Sequence, residues 1–205
     1  MSPVGDIERI TQDRVITLFT KPDGLGYTYL GNWHERPDNS NIEEGLLSNY
    51  LHENGYTQTL IKKAIYELKK VAGVQNKNLY GINKDVYTIL RYGAKVREDV
   101  GENTQTVRLI DWENPQNNHF AIAEEVSIKG ENRKRPDIVI YVNGIALGVL
   151  ELKRSTVSVS EGIRQNLDNQ KSMFIMPFFG TVQLVMAGND TEGVREGGIK
   201  PPERY

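Results

Sequence analysis

Cysteine is absent from this 205-residue chain, and histidine occurs only three times. Without cysteine the chain has no disulfide, no thiolate zinc site and no cysteine nucleophile, which fits a reducing compartment, and we expect the cytoplasm. The histidines, His34, His52 and His119, lack the spacing of metal ligands. This argues against zinc hydrolases and histidine–metal nucleases.

Long apolar runs, strong net charge and nucleotide-binding loops are also missing. No stretch approaches the length that spans a bilayer, and the first residues, MSPVGDIERITQDR, lack the basic start and apolar core of a signal peptide. Without a Gly-x-x-x-x-Gly-Lys-Ser/Thr loop, the chain has no nucleotide-driven motor of its own. The net charge of −2 means that any nucleic-acid surface would have to be local.

The order of the predicted elements indicates the class of fold. Apolar residues at helical spacing predict helices over about residues 42–54, 57–71, 82–92 and 158–171. Short apolar runs predict strands around residues 15–19, 27–31, 106–111, 120–128 and 182–187. This order indicates an α/β or α+β domain with a central mixed sheet flanked by helices. We expect a turn-rich segment over residues 1–40 packed on the domain, the domain itself over 41–192, and a linker or tail over 193–205.

The segment from Arg135 to Lys153, RPDIVIYVNGIALGVLELK, predicts a β-hairpin. Its two apolar runs are joined by Asn143-Gly144, which is a strong signal for a tight turn. Folding the hairpin would bring Asp137 to the same end of the sheet as Glu151 and Lys153. A carboxylate pair beside an ammonium group is suited to binding a hard divalent cation and activating a water.

The register of this hairpin decides whether the two carboxylates meet. Alternate residues of a strand share a face, so Glu151 and Lys153 point the same way. A regular two-residue turn would pair Asp137 with Leu150 and direct it away from Glu151. A three-residue loop, Asn143-Gly144-Ile145, or one β-bulge would pair Asp137 with Glu151 instead. We therefore predict that loop or a bulge, and a regular hairpin would contradict the metal site.

Pro136-Asp137 followed by Glu151-Leu152-Lys153 resembles the PD-(D/E)xK nuclease signature. In its wider context the hairpin is similar to the N-terminal nuclease domain of the R (restriction and motor) subunit of type I restriction enzymes. The resemblance covers roughly residues 40–190 and implies a restriction-endonuclease-like core. The bare motif is weak, but the Arg-Pro-Asp start, the Asn-Gly turn and the Glu-Leu-Lys end on one hairpin are more specific.

The resemblance implies roles for individual residues. Asp137 and Glu151 would hold one or two Mg²⁺ ions, or Mn²⁺, with the backbone carbonyl of Leu152 as a further ligand. Lys153 would orient or polarise the attacking water, or stabilise charge that develops on the phosphate.

Members of this superfamily often add a glutamate from a helix, for which Glu43 and Glu44 are the candidates. Glu43 falls at the centre of the apolar face of the predicted helix, where a buried carboxylate needs a partner. We therefore prefer Glu43 as the additional metal ligand. The alternative is that both glutamates simply favour the first helical turn.

The related R subunits also carry a Gln-x-x-x-Tyr motif on the helix after the lysine strand. Gln165 fits this motif as a supporting residue, but Asn169 occupies the tyrosine position. Glu161, Gln165 and Asn169 share one helix face, which either lies toward the site or is solvated.

Basic residues around the hairpin are candidates for contact with DNA. Lys134 and Arg135 lie on the loop that enters the hairpin, and Arg154 and Arg164 lie beyond it. Local clusters of this kind neutralise phosphates and give salt-dependent, sequence-independent affinity. The alternative is an ordinary solvated loop.

These features predict a metal-dependent endonuclease domain that acts on double-stranded DNA. The resemblance implies that site recognition belongs to modification and specificity subunits, and that ATP acts only through a motor region not in this chain. The chain is then either a fragment of an R subunit or a short stand-alone relative. Two alternatives stay open: a nuclease-like module that binds DNA or docks a subunit without cleaving, and a surface salt-bridge cluster on an unrelated sheet.

Overall fold

The computed structural model describes residues 3–74, 76–130 and 132–199, with side chains from residue 9 onward. The helices in this part are α1 (Pro3–Thr20), α2 (Glu44–Glu53), α3 (Gln58–Ala72), α4 (Leu79–Tyr92) and α5 (Val159–Asn169). The strands are β1 (Thr28–Asn32), β2 (Ala94–Val96), β3 (Gln105–Val107), β4 (Phe120–Glu124), β5 (Ile138–Val142), β6 (Ile145–Leu152), β7 (Leu184–Asn189) and β8 (Gly193–Gly197). Short 3-10 helices span Pro115–Asn117 and Met176–Gly180. None of the described helices combines the length and the apolar character that crossing a membrane requires.

Six strands form one mixed sheet in the order β1-β4-β5-β6-β7-β8. β1 is parallel to β4 and β6 is parallel to β7, while the other neighbours are antiparallel. β2 and β3 form a separate antiparallel pair. The predicted fold class, a central mixed sheet flanked by helices, is confirmed.

Helices α2, α3 and α4 pack around the turn end of the β5–β6 hairpin. Their core joins Leu47 and Leu51 of α2 to Val142 and Ile145, which flank the turn. Thr57 caps α3, because its Oγ1 accepts from the Leu60 N–H at 3.4 Å. The turn end of the hairpin is therefore buried, and its open end lies at the opposite end of strands β5 and β6.

Different helices cover the two faces of the sheet. α1 packs apolar side chains, among them Val15 and Phe19, against the face that carries Ile138 and Leu150. α5 lies on the opposite face against β7 and β6. Its contact with β7 is close, since a Cβ added at Gly162 would come 3.0 Å from the Cβ of Ala187. Residues on this second face at the open end of the hairpin therefore lie under α5.

The two ends of the chain differ from the prediction. A strand was expected at residues 15–19, but these residues belong to α1. The predicted strand at residues 27–31 is confirmed as β1, which is an edge strand of the main sheet, and the predicted tail contributes β8, the other edge strand. The part of the tail from residue 200 onward lies outside the described residues. The sheet thus extends beyond the 41–192 domain at both edges.

Candidate active site

A β-bulge brings Asp137 and Glu151 onto one face of the sheet. After the turn, β6 contains one extra residue, Leu147, which shifts its register against β5. Ile138 therefore pairs with Leu150. Extending this register by one residue sets Asp137 opposite Glu151, and the Asp137 charge indeed acts on the Glu151 carboxyl. The prediction of an odd residue is confirmed, and of the two alternatives the structure has the bulge.

Segments outside the hairpin form hydrogen bonds with the backbone groups around the bulge. The Ala146 N–H donates to the Asn41 carbonyl at 2.9 Å, and the Leu147 carbonyl accepts from the Gln183 N–H at 2.9 Å. Thr181 Oγ1 donates to the Ala146 carbonyl at 2.8 Å. Buried backbone groups that leave a strand ladder need other partners, and these contacts supply them.

Asn143-Gly144 forms a tight turn that is anchored in the protein interior. Both residues have positive φ, 52° and 81°, as a type I′ turn requires. Asn143 is fully buried, and its side chain accepts from the His119 N–H at 2.7 Å and donates to the Leu109 carbonyl at 2.9 Å. The register of the hairpin is therefore fixed from its turn end.

Glu151 is fully buried, and α5 supplies hydrogen-bond donors to both of its carboxylate oxygens. Gln165 Nε2 donates to Oε2 at 2.6 Å, and Asn169 Nδ2 donates to Oε1 at 3.2 Å. These two members of the polar α5 face thus lie toward Glu151 rather than in solvent. Glu161 differs from them, because it forms an ion pair with Arg164 on the surface.

The environment of Glu151 disfavours its charge. Burial raises the pKa of the Glu151 carboxyl well above its usual range, and the nearby negative charge of Asp137 raises it further. The Lys153 ammonium acts in the opposite direction and lowers this pKa. Asp137 also contacts the strand, since its Oδ2 accepts from the Leu152 N–H at 2.6 Å.

The carboxylate oxygens of Asp137 and Glu151 are ligands of the kind that a hard divalent metal ion prefers. If both of these carboxyl groups were ionised they would repel each other, and a hard cation between their oxygens would offset that repulsion. Within the described part of the chain, however, no group of three or more aspartate, glutamate, histidine or cysteine side chains could hold a metal ion. Asp137 and Glu151 are therefore a two-carboxylate set, which backbone, solvent or phosphate oxygens would have to complete.

Lys153 and Leu152 lie where the hairpin motif predicts them, at the end of β6. Lys153 is half-buried, and its N–H donates to the Gly188 carbonyl of β7 at 2.8 Å. A Cβ added at Gly162 of α5 would come 3.6 Å from the Lys153 Cγ, so the lysine stem lies under the start of α5. The Leu152 N–H is engaged by Asp137, and a metal contact of the Leu152 carbonyl stays a prediction.

Glu43 does not join this cluster, which corrects its prediction as a metal ligand. Its N–H donates to the Gly144 carbonyl at 2.8 Å, so it lies at the turn end of the hairpin, opposite to Asp137 and Glu151. Its partner is Arg36, whose Nη2 contacts Glu43 Oε2 at 2.6 Å, and the Glu43 side chain is 12% exposed. The sequence correctly indicates a carboxylate with a charged partner here, but Glu43 is only partly buried, at the N-cap of α2, and its partner is an arginine rather than a metal ion. Glu44 forms a surface ion pair with Lys69 at 2.6 Å.

The four predicted DNA contacts have different surroundings. Arg135 forms an ion pair with Glu125 at 2.6 Å, and Arg164 forms one with Glu161. Lys134 Nζ lies 4.1 Å from the centre of the Phe174 ring. Arg154 is half-buried just beyond β6. Acidic neighbours therefore offset the charges of two of the four, Arg135 and Arg164.

A second buried carboxylate, which no sequence pattern predicted, lies on the α1 face of the sheet beside the strand that carries Asp137. Glu124, at the end of β4, is 2% exposed and accepts hydrogen bonds from Arg9 at 2.9 Å, Gln12 at 3.1 Å, Tyr29 at 2.7 Å and Asn32 at 3.2 Å. Two of these donors belong to α1 and two to β1. The available signal was an acidic residue directly after the apolar run of β4.

Glu124 connects α1 to the strand that carries Asp137. It pairs with Ile138, and the N–H of the next residue, Glu125, donates to the Asp137 carbonyl at 2.9 Å. Gln12 also reaches that carbonyl at 3.5 Å. The backbone at Asp137 is thus held by β4 and α1 together.

The chain is similar in sequence to parts of type I restriction enzyme subunits. The sequence model of the family described as type I restriction enzyme R protein N terminus matches residues 8–200. A protein of Methanocaldococcus jannaschii named as the MjaIXP type I restriction enzyme endonuclease subunit is 28% identical over 137 residues, which are 63% of this chain and 13% of that protein. The HindI endonuclease subunit of a type I restriction enzyme from Haemophilus influenzae is 35% identical over 75 residues, which are 35% of this chain and 7% of that protein. The matches thus span only a small part of these relatives.

Proposed function

Because the chain belongs to the family of type I restriction enzyme R protein N termini, we propose that it is a metal-dependent DNA endonuclease domain. The observation that carries this proposal is the pair of Asp137 and Glu151 on one face at the end of the bulged hairpin. The names of the relatives as endonuclease subunits support the same activity. The proposed reaction is hydrolysis of a phosphodiester bond in double-stranded DNA.

Asp137 and Glu151 would hold Mg²⁺, and Mn²⁺ would serve as a substitute with the same oxygen ligands. The bound ion would supply Lewis-acid stabilisation of charge on the phosphate and lower the pKa of a water. Lys153 would contribute a fixed positive charge next to the attacked phosphate and orient the water. Gln165 and the burial of Glu151 would keep that carboxylate in one orientation and exclude bulk water from it.

Sequence recognition and DNA movement would come from elsewhere in the complex. The two relatives that are named as endonuclease subunits are much longer than the regions that match this chain. We propose that the modification and specificity subunits select the DNA site, and that a motor region outside this chain uses ATP. The domain itself would contact the DNA backbone through Lys134, Arg135, Arg154 and Arg164 without reading bases.

One observation favours a second function, a nuclease-like module that holds DNA or docks a subunit without cleaving. The described residues offer two clustered carboxylates rather than three, because Glu43 is engaged by Arg36 at the other end of the hairpin. Without a bound metal ion the domain could not cleave DNA by the proposed reaction, and it would serve only to hold DNA or dock a subunit. Metal affinity therefore separates the two functions.

The first test is a calorimetric titration of the wild type and Glu151→Ala with Mg²⁺ or Mn²⁺, alone and with a short DNA duplex. Under the proposal the wild type binds the ion in at least one condition, and Glu151→Ala loses that binding while its circular dichroism is unchanged. Absence of binding by the folded wild type in both conditions would favour the non-cleaving module.

A second test separates cleavage from DNA binding. Asp137→Ala should retain the wild-type affinity for a duplex in the absence of divalent cations but should lose nicking of supercoiled plasmid in Mg²⁺. Retained nicking by Asp137→Ala would contradict the assigned site. Because DNA movement in the proposed complex would depend on a motor region, the assay uses the chain both alone and within the assembled complex.

A further inference from the structure

The end of α5 presents two carboxamides to one carboxylate. Gln165 and Asn169 are four residues apart and lie on one helix face. The first donates to Oε2 of Glu151 and the second to Oε1, so each oxygen has its own donor. Two donors from one rigid element restrict rotation of the Glu151 carboxylate, which one donor would not do.

Asn169 also has a feature that packing alone does not explain. The residue is fully buried, yet its Oδ1 has no hydrogen-bond partner in the structure. Leaving a buried carbonyl oxygen unsatisfied costs free energy, so what the other half of the amide contacts has to offset that cost. At Asn169 this contact is the one from Nδ2 to the Glu151 carboxylate, which belongs to the site.

We infer that Asn169 is a positioning residue for Glu151, an inference that rests on the proposed metal-dependent function. The resemblance to R subunits would place a tyrosine at this position, and this chain has an asparagine that reaches the same carboxylate as Gln165. A tyrosine would not fit the enclosed space of Asn169 without displacing its neighbours. In this chain Gln165 and Asn169 together would then hold the Glu151 carboxylate in its orientation toward Asp137.

The chain offers a matched control for Asn169. Asn166, on the same helix, is 2% exposed and its Oδ1 is likewise without a partner, but its Nδ2 donates to the Met186 carbonyl at 2.8 Å. Asn166→Leu therefore removes a buried amide from α5 without touching Glu151. Asn169→Leu makes the same chemical change at the position that does.

The experiment compares the affinity of the wild type, Asn169→Leu and Asn166→Leu for Mn²⁺ by calorimetry. Removing a group that orients a metal ligand commonly lowers metal affinity by about tenfold to a hundredfold. We expect this loss in Asn169→Leu and wild-type affinity in Asn166→Leu. Equal affinities in Asn169→Leu and the wild type, or equal losses in the two variants, would overturn the inference.

A metal-free measurement keeps the inference testable if a variant does not fold. In ¹H–¹⁵N spectra of the folded protein, Glu151→Gln should shift the side-chain amide signals of Gln165 and Asn169 and leave those of Asn166 in place. An unshifted Asn169 signal would show that the contact does not exist in solution, which also overturns the inference.

The outcomes distinguish the inference from the function on which it rests. If the wild type binds no metal with or without DNA, the proposed function fails and the positioning role falls with it. If the wild type binds metal, Glu151→Ala does not, and Asn169→Leu binds normally, only the inference fails.

Discussion

Gly144 occupies a position where two requirements meet. Its φ of 81° lies in the left-handed region, and a Cβ there would come 2.7 Å from the Glu43 carbonyl oxygen and 2.8 Å from the Leu47 nitrogen. Both the turn conformation and the contact with the start of α2 therefore exclude a side chain.

Gly144→Ala is expected to destabilise the protein by more than the conformational cost alone, which is about 1–3 kcal/mol. Gly55→Ala is the control, because Gly55 has a φ of 82° but nothing within 4 Å of an added Cβ. Urea unfolding should give a larger loss of free energy of unfolding for Gly144→Ala than for Gly55→Ala. Equal losses would mean that the contact with α2 has no energetic effect.

Glu151 should make stability depend on pH in an unusual direction. Its pKa in the folded protein is raised by burial and by Asp137, whereas the unfolded value is about 4.3. Between these values the folded protein holds a proton that the unfolded chain has lost, so the free energy of unfolding falls as pH rises.

Glu151→Gln removes this dependence. Relative to the wild type, its free energy of unfolding without metal should increase with pH above about 4.3, by at most about 1.4 kcal/mol per pH unit. Glu53→Gln, at an exposed position, controls for the loss of a carboxylate. Urea unfolding at a series of pH values measures the effect, and a pH-independent difference for Glu151→Gln would contradict the assigned burial.

At the scale of elements, the hairpin was largely predictable because its information is local. Strand periodicity fixed which side chains share a face, and the Asn143-Gly144 pair fixed the turn. The choice between a longer loop and a bulge was not local. It depends on Asn41 and Gln183, which satisfy the backbone beside Leu147 from distant parts of the chain.

Helix α1 shows why local preference can mislead. The run from Val15 to Phe19 is rich in β-branched and aromatic residues and was predicted as a strand. In the structure it is helical, and its apolar residues cover the face of Ile138 and Leu150. Hydrogen bonds from Arg9 and Gln12 to the buried Glu124 also hold α1 against the sheet. None of these partners is near α1 in sequence.

The docking of α1 should depend on Arg9 more than on other surface arginines. Arg9→Met leaves Glu124, whose side chain is 3% exposed, without its cationic partner, and we expect a loss of about 1–3 kcal/mol. Arg14→Met removes an exposed pair with Asp190 and should cost less than about 1 kcal/mol. Urea unfolding of both variants tests this, and equal costs would contradict the role of Glu124 as an anchor for α1.

At the scale of the whole molecule, the low net charge limits how strongly DNA can bind. A chain with a net charge of −2 has to use a few local cations, and acidic neighbours already offset Arg135 and Arg164. Affinity for a duplex should therefore fall with salt along a shallow slope.

Removing single cations should change that slope unequally. Lys134→Ala and Arg154→Ala should each reduce the slope of log K against log salt by about 1, because each cation would neutralise one phosphate. Arg164→Ala should change it less, since its ion pair with Glu161 already offsets the charge. Fluorescence anisotropy without divalent cations measures these slopes. Equal effects of all three variants would contradict this ranking of the surface.

In the candidate site, too, residues defined by a local motif could be predicted from the sequence, whereas contacts between distant segments could not. The Asp137, Glu151 and Lys153 motif lies on one hairpin and could be identified from the sequence, and Gln165 followed from the resemblance. Glu43 was assigned to the wrong partner, because Arg36 contacts it from the loop after β1. Glu124 was missed, because its partners come from α1 and β1, which are distant in sequence. Sequence patterns located the motif on the hairpin, but not the side chains that other segments bring to its neighbours.

The bulge at Leu147 has a consequence for how this hairpin can change in evolution. Because successive residues alternate between faces, the spacing between Asp137 and Glu151 matters through its parity rather than its length. Insertions or deletions of two residues preserve the relation between the acids, whereas a single one reverses it unless a bulge is gained or lost at the same time. Gaps in alignments of active relatives should therefore have even lengths here. In a library of insertions, the lengths that keep activity should alternate with the lengths that lose it.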